Sequence, residues 1–455
     1  MIKNIKNIYF IGIGGIGMSG LAKIMLSRGY LVSGSDLKKA KITEELEKSG
    51  ADITYTQDGT GVNHQDLVVI SAAIKENNGD FAEAKRQGLK MIRRSELLGE
   101  LMVSKRGIAV AGTHGKTTTS TMLSLILEDA GLDPVVVIGG EVKNIGGNAK
   151  DGHGEYLVAE ACEYERAFWD LKPYIGIITN IEEDHLDTYG DMEGILEGFA
   201  VFLEKVNPEG FITVWAEDRN IAKISKHYQG RVIDYGLCEG QFQAKNIITR
   251  DFRTTFEVWE DAKKRGLITL TVPGPHNILN ALSVIATALN LGVKFSSIQK
   301  TLQNFSGAKR RFEIKGEKGG ILVIDDYAHH PTEIKATLSG LRDFYPDARV
   351  WCIFQPHQYS RTFHLLNDFK KSFYEADHVI IPEIYEARDT KEDRESVNSK
   401  ILVENINKES KNAIYISDFE SIVGHLLKNV QPNDIIITVG AGNVYQVGEQ
   451  FLARV

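Results

Sequence analysis

The chain has 455 residues, 42% hydrophobic and 25% charged, which fits a globular protein of about three domains and excludes a disordered or collagen-like chain. Its net charge of −8 argues against broad attraction to nucleic acid or to an anionic membrane, so an anionic substrate must be held by local donors. Three widely spaced cysteines, Cys162, Cys238 and Cys352, with no Cys-x-x-Cys pair, argue against a disulfide framework or zinc site and fit a cytoplasmic protein.

The first predicted strand, "NIYFIGI", runs into Gly12-Ile13-Gly14-Gly15-Ile16-Gly17 and then a helix to about Arg28. The five glycines of "IYFIGIGGIGMSGLAKIML" suit a strand, turn and helix better than a signal peptide, and no other run reaches membrane-spanning length, so no membrane insertion is expected. Such a loop lets backbone approach a diphosphate at a helix N-terminus. A second strand, "LVSGSD", ends at Asp36, where such folds often place a ribose-binding carboxylate. A third, "LVVISAA", contains Ser71. Gly12, Gly14, Gly15, Gly17, Asp36 and Ser71 are therefore the expected diphosphate-nucleotide site. The loop alone fits NAD, and hence an oxidoreductase, as well as a UDP-sugar.

A polar stretch, "LMVSKRG", precedes a second set of strands and places a domain boundary near 106. The strand "GIAVAG" enters Gly112-Thr113-His114-Gly115-Lys116-Thr117-Thr118, and a helix follows until Gly131. The common phosphate-binding loop has four residues between its glycines; here only Thr113 and His114 intervene. The context still suits a triphosphate: N–H groups of Gly115 to Thr118 for the β-phosphate, Lys116 for β/γ charge, and the Thr117 hydroxyl for Mg²⁺. Glu160, at the end of "EYLVAE", supplies a second oxygen ligand. His185, in "TNIEEDHLD" after the strand "YIGIITN", is an unusual ligand for so hard a cation; the residues alone leave it open between ligand and polar loop residue, with Asp184 and Asp187 as alternatives.

Segment 207–272, which begins with the strand "GFITVWA", holds alternating polar and apolar stretches such as "TTFEVWE" and "LITLTV" and reads as a small added antiparallel sheet. The basic stretch 304–320 sets a boundary near 308. The strands "GILVIDD", "RVWCIFQ", "HVIIPEI" and "DIIITVG" then alternate with helical patterns. Throughout, this is the pattern of an α/β protein with parallel sheets.

Seven motifs in order, "GIGGIGMSGLA", "GTHGKTTT", "TNIEEDHLD", "GPHNILNA", "AKRRFE", "DDYAHHPTE" and "FQPHQYSRT", resemble the Mur ligases over residues 7 to 453. The resemblance implies three domains: a Rossmann-like UDP-sugar-binding domain (1–106), a central P-loop ATPase-type domain with a mostly parallel sheet (107–308), and a Rossmann-like domain carrying the amino-acid site (309–455). It implies an ATP- and Mg²⁺-dependent ligase of the branch that joins L-alanine to the lactyl carboxylate of UDP-N-acetylmuramate through an acyl phosphate. The compact loop Gly112–Thr118 would bind ATP, with His276, Asn277 and Asn280 at the adenine. Thr117, Glu160 and His185 would bind magnesium. Arg311 would reach the γ-phosphate, and Asp326 would contact the nucleotide. Tyr327, His357 and Arg361 would hold the amino acid, with Arg361 on its carboxylate, and His329 or His330 would take the amine proton.

Cys162 and Tyr164 depart from the family pattern Glu-Ala-Asp-Glu-Ser-Asp at 160–165, although Glu160 and Glu163 are kept. Residues 186–204 contain no lysine, so the modified lysine of later-acting members is not expected. A relative that attaches a recycled peptide to the same UDP-sugar is the nearest alternative. Because water destroys an acyl phosphate, closure of the third domain over the second is expected. The resemblance leaves monomer or homodimer open.

Overall fold

A computed structural model describes residues 5–142, 145–387 and 389–455. The chain builds three α/β domains, each around its own sheet. The first sheet contains β1 (Asn7–Ile11), β2 (Leu31–Ser35), β3 (Asp52–Thr54), β4 (Leu67–Ile70) and β5 (Met91–Arg93), ordered β3-β2-β1-β4-β5 and parallel throughout. Ile8, Phe10, Leu67 and Val69 are fully buried, as a sheet covered by helices on both faces requires. Strand order reverses between β1 and β4. The loops after those two strands therefore flank a crevice, and they carry Gly12 and Ser71.

The second sheet has ten strands: β6 (Arg106–Ala111), β7 (Val135–Val142), β8 (Gly147–Lys150), β9 (Tyr156–Glu160), β10 (Ile175–Ile178), β11 (Phe211–Trp215), β12 (Arg231–Gly236), β13 (Phe242–Arg250), β14 (Arg253–Glu260) and β15 (Lys263–Leu270). Their order is β15-β14-β13-β12-β11-β10-β6-β9-β7-β8. The separate small sheet expected in 207–272 is instead the continuous edge of this one. Parallel pairing of Tyr235 with Phe242 and Gly236 with Gln243 splices β13 onto β12. The two-residue links Asp251-Phe252 and Asp261-Ala262 have positive φ at every position, the mirror-image turn that matches the twist of a hairpin. The β7–β8 hairpin, absent from the expected strands, packs against the helix Ile16–Ser27.

The third sheet contains β16 (Glu313–Lys318), β17 (Ile321–Asp326), β18 (Val350–Phe354), β19 (His378–Ile381), β20 (Ala413–Tyr415) and β21 (Ile435–Val439). Its order is β16-β17-β21-β18-β19-β20, with only β16 antiparallel to its neighbour among the described pairings. Separate apolar clusters cover its two faces.

Two compact units divide the chain. The first runs to Lys245 and adds Glu257–Ile268 and Leu279–Gln303; the second comprises Asn246–Phe256, Thr269–Ile278 and Asn304–Val455. Within the first unit, polar clamps fix the first sheet's helices to the second sheet. Asn148 Nδ2, fully buried, donates to the Ile16 carbonyl and to Ser19 Oγ. Arg28 donates through two nitrogens to Asp151, and Ser95 and Arg93 both donate to Asp170. Such satisfied buried groups fix one register of packing.

Candidate active site

The compact loop follows β6, and two glycines shape it. Gly112 has φ 135° and Gly115 has φ 82°, conformations that side-chain-bearing residues rarely adopt. A Cβ on Gly112 would collide with Thr179 Oγ, and one on Gly115 would lie 2.5 Å from Asn280 Oδ1. The segment after β10 takes the place of the missing loop residues. Asn180 accepts from the His114 N–H at 2.9 Å, Thr179 Oγ donates to the His114 carbonyl at 2.5 Å, and Thr113 exchanges hydrogen bonds with the Glu182 backbone. Thr113 and His114 thus pin the loop from behind.

Gly115 caps the helix Lys116–Asp129 without a side-chain hydrogen bond. Its first amides, of Lys116, Thr117 and Thr118, are therefore the donors open to an anion. Lys116 Nζ donates to the Gly112 carbonyl at 2.5 Å, to Thr113 O at 3.0 Å and to Glu163 Oε1 at 2.8 Å. Burial alone would pull this ammonium down, but the charges of Glu163, Cys162 and Glu160 outweigh it and hold its pKa above the usual lysine value. Lys116 therefore stays cationic.

Glu163 was kept in the sequence pattern but given no role. Here it is central: Oε1 grips Lys116, and His185 Nε2 lies 3.8 Å away. Its other oxygen, Oε2, is buried without a hydrogen-bond partner among the described residues. Tyr164 packs its ring 5.1 Å from that of His185, which has φ 53°. Glu160 ends β9 opposite Val110 and accepts from the Gly139 N–H at 2.7 Å. Thr117, Glu160 and Glu163 offer the hard oxygen donors that Mg²⁺ takes, one of them, Glu163 Oε2, buried without a hydrogen-bond partner among the described residues. Cys162 is partly buried; burial and Glu163 push its thiol up, so it is no reactive thiolate.

At the first loop, Gly14 N–H donates to Asp36 Oδ2 at 2.9 Å and Lys38 N–H donates to Oδ1 at 3.2 Å. Asp36 thus holds the loop itself. Ser71 lies against Gly12, and Gly15 caps the helix with no side-chain hydrogen bond. Gly17 faces the Arg94 guanidinium, which the sequence analysis did not single out.

Of the adenine candidates, Asn280 Oδ1 accepts from Thr119 Oγ at 3.2 Å in the first unit. In the second unit Asn277 Nδ2 donates to the Pro273 carbonyl at 2.7 Å, and His276 lies beside Gly274.

The second unit gathers a cationic and aromatic cluster. The Tyr327 ring lies between two guanidinium groups, Arg310 at 5.1 Å and Arg311 at 5.2 Å. Arg310 donates to Asp325 and to the carbonyls of Gly440 and Gly442, while Arg311 lies 3.7 Å from Glu333. Burial pushes the Asp326 carboxyl up to about 6, against the Arg311 charge and donation from the Ala328 and Phe312 amides. His330 Nδ1 accepts from the Thr332 N–H and caps the helix Pro331–Phe344. His329 Nδ1 lies 3.1 Å from the Tyr327 carbonyl, which only accepts, and 3.4 Å from Glu333 Oε2, so Nδ1 carries the proton. His357 stands 6.1 Å from His329 and stacks on Tyr385 at 5.4 Å. Arg361 is buried, with Nη1 3.3 Å from His357 Nδ1. Tyr385 was not foreseen, since nothing local marks it; Glu333 closes the motif "DDYAHHPTE" but was given no role.

Family profiles match the chain in three stretches: "Mur ligase family, catalytic domain" over 7–106, "Mur ligase middle domain" over 110–288, and "Mur ligase, glutamate ligase domain" over 310–442. The UDP-N-acetylmuramate–L-alanine ligase of Clostridium novyi is 46% identical over 99% of this chain and 98% of its own length. That of Acetivibrio thermocellus is 46% identical over 98% and 96%. Among solved structures, the UDP-N-acetylmuramate–alanine ligase of Thermotoga maritima superposes with TM-score 0.84 at 28% identity, covering 99% of both chains. A murein peptide ligase from Psychrobacter arcticus gives 0.73 at 27% identity, covering 98% of both.

Proposed function

The chain belongs to the Mur ligase family, and from that membership we infer that it joins L-alanine to the lactyl carboxylate of UDP-N-acetylmuramate, using ATP, in peptidoglycan synthesis. Residues 1–106 take the UDP-sugar, 107–308 take ATP, and 309–455 carry the amino-acid site. The observation that carries the phosphate chemistry is the cationic Lys116 at an uncapped helix N-terminus, paired to the buried Glu163.

A carboxylate is a poor acylating group because its leaving group would be oxide. The lactyl carboxylate therefore attacks the γ-phosphorus of ATP; ADP leaves and an acyl phosphate forms. The amides of Lys116 to Thr118 and the Lys116 ammonium stabilise charge on the phosphates, and Arg311 adds a second cation. On binding a triphosphate, Lys116 exchanges the Gly112 and Thr113 carbonyls for phosphate oxygens. Thr117, Glu160 and His185, with Glu163 beside them, would hold Mg²⁺, which supplies further neutralisation of the phosphate oxygens. In the second unit, Arg361 pairs with the alanine carboxylate and Tyr327 and His357 line its site. His329 or His330 accepts the amine proton; Nδ1 of His330 already accepts from the Thr332 amide. The free amine attacks the acyl carbon, the C–N bond forms, and phosphate departs. No helix among the described residues is long and apolar enough to cross a membrane, and we place the enzyme in the cytoplasm, where its nucleotide substrates are.

Oxygen-18 in the lactyl carboxylate tests the pathway: one labelled oxygen is expected in released phosphate, and full retention in the product excludes the acyl phosphate. Phosphate release with L-alanine against a tripeptide in its place separates this enzyme from the peptide-recycling relative; release with the tripeptide alone overturns the alanine assignment.

A further inference from the structure

Two adjacent arginines at the end of β5 have opposite fates. Arg93 is exposed and paired: it donates to Asp170 at 2.8 Å and lies 3.6 Å from Glu96. Arg94 opens the helix Arg94–Val103 and is half-buried. Among the described residues it makes no hydrogen bond and pairs with no carboxylate. A guanidinium kept partly out of water without a partner is unfavourable unless an anion joins it.

Its position points to which anion. The side chain packs on the glycine loop: a Cβ on Gly17 would lie 3.0 Å from Arg94 Nη1, 3.1 Å from Cδ and 3.3 Å from Cζ. A Cβ there would press the guanidinium aside by a few tenths of an ångström. Arg94 thus stands against the last glycine of the first loop. It also sits at the C-terminal edge of a parallel sheet and at a helix N-terminus, both favourable to anions.

We propose that Arg94 binds an anionic group of the UDP-linked sugar, its diphosphate or its lactyl carboxylate, and so holds the sugar against the Gly12–Gly17 loop. The inference rests on UDP-N-acetylmuramate being the substrate.

Calorimetry on the full chain tests it with three probes: UDP-N-acetylmuramate, UDP-N-acetylglucosamine, which has the diphosphate but no lactyl carboxylate, and a non-hydrolysable ATP analogue. Arg94→Ala is expected to weaken UDP-N-acetylmuramate by about tenfold or more, the loss of a charged hydrogen bond. Arg94→Lys should recover part of this, and the ATP analogue should bind within about twofold of wild type. Equal weakening of UDP-N-acetylglucosamine assigns the diphosphate; its unchanged binding assigns the carboxylate. Gly17→Ala, which keeps the charge but displaces the guanidinium, should reproduce the selective loss. If Arg94→Ala binds UDP-N-acetylmuramate within twofold of wild type, or loses the ATP analogue equally, the proposal is overturned. A wild-type chain that binds no UDP-N-acetylmuramate removes the substrate reading, and this inference with it.

Discussion

The two glycine loops leave the first strand of their respective sheets in similar fashion, yet their charges are arranged in opposite ways. At Gly12–Gly17 a carboxylate is built in: Asp36 occupies the Gly14 amide, and a cation, Arg94, packs on Gly17 from outside the loop. At Gly112–Lys116 a cation is built in: Lys116 folds onto its own loop's carbonyls and onto Glu163, while Glu160 is held by Gly139. The first arrangement suits a ligand recognised by shape and retained intact. The second suits a ligand whose charge shifts during reaction, because a stored cation can follow that charge. A shared strand–turn–helix geometry does not fix what a loop does; the side chains that neighbouring strands bring to it do.

The largest expected effect separates the loops outright. Lys116→Ala should lower turnover by about 10³-fold or more, as loss of a phosphate-stabilising cation does, while calorimetric binding of UDP-N-acetylmuramate stays unchanged. Loss of both would show that the loops are not independent.

The next compares matched glycines. Gly115→Ala meets both a φ of 82° and Asn280 at 2.5 Å, and should lower stability by roughly 1–3 kcal/mol. Gly15→Ala meets nothing closer than 3.4 Å at φ −62°, and should leave the melting temperature unchanged. Thermal melts of the two variants decide, and equal losses would remove the conformational distinction.

Smaller still, Asp36→Ala should weaken UDP-N-acetylmuramate by roughly tenfold or less, the value of one charged hydrogen bond at Gly14, with the KM for ATP unmoved. A change in the ATP constant would contradict the division of labour.

The smallest effect lies outside both loops. Because burial raises Asp326 to about 6, the folded chain binds more protons than the unfolded chain between about pH 4 and about pH 6. Its contribution to stability is therefore greatest when protonated and falls as pH rises through that window. In melts at constant ionic strength, Asp326→Asn should flatten that fall without altering UDP-sugar binding. An unchanged slope would place the titration elsewhere.

Both loops were legible because each motif is local: glycines at fixed spacing, with a strand before and a helix after. The role of His185 was not settled by its own chemistry, since imidazole is a poor magnesium ligand. The resemblance assigned it to the metal, and the fold sets it beside Glu163. Arg94 gave no signal at all, lying in an ordinary helix start. Only the placement of β5 at the edge of the first sheet brings it to Gly17. The hairpin edge of the central sheet was misjudged as separate because alternation reports which face of a strand is wet, not which strand it pairs with.

The amino-acid sequence by itself determined the alternation of strands and helices, the positions of the glycine turns and the identity of the charged groups after them, because these depend on residues a few positions apart. Which carboxylate meets Lys116, which segment braces a shortened phosphate loop and which arginine packs on Gly17 were decided by tertiary structure. Those contacts join residues dozens of positions apart, and burial in one register of packed sheets is what selects them.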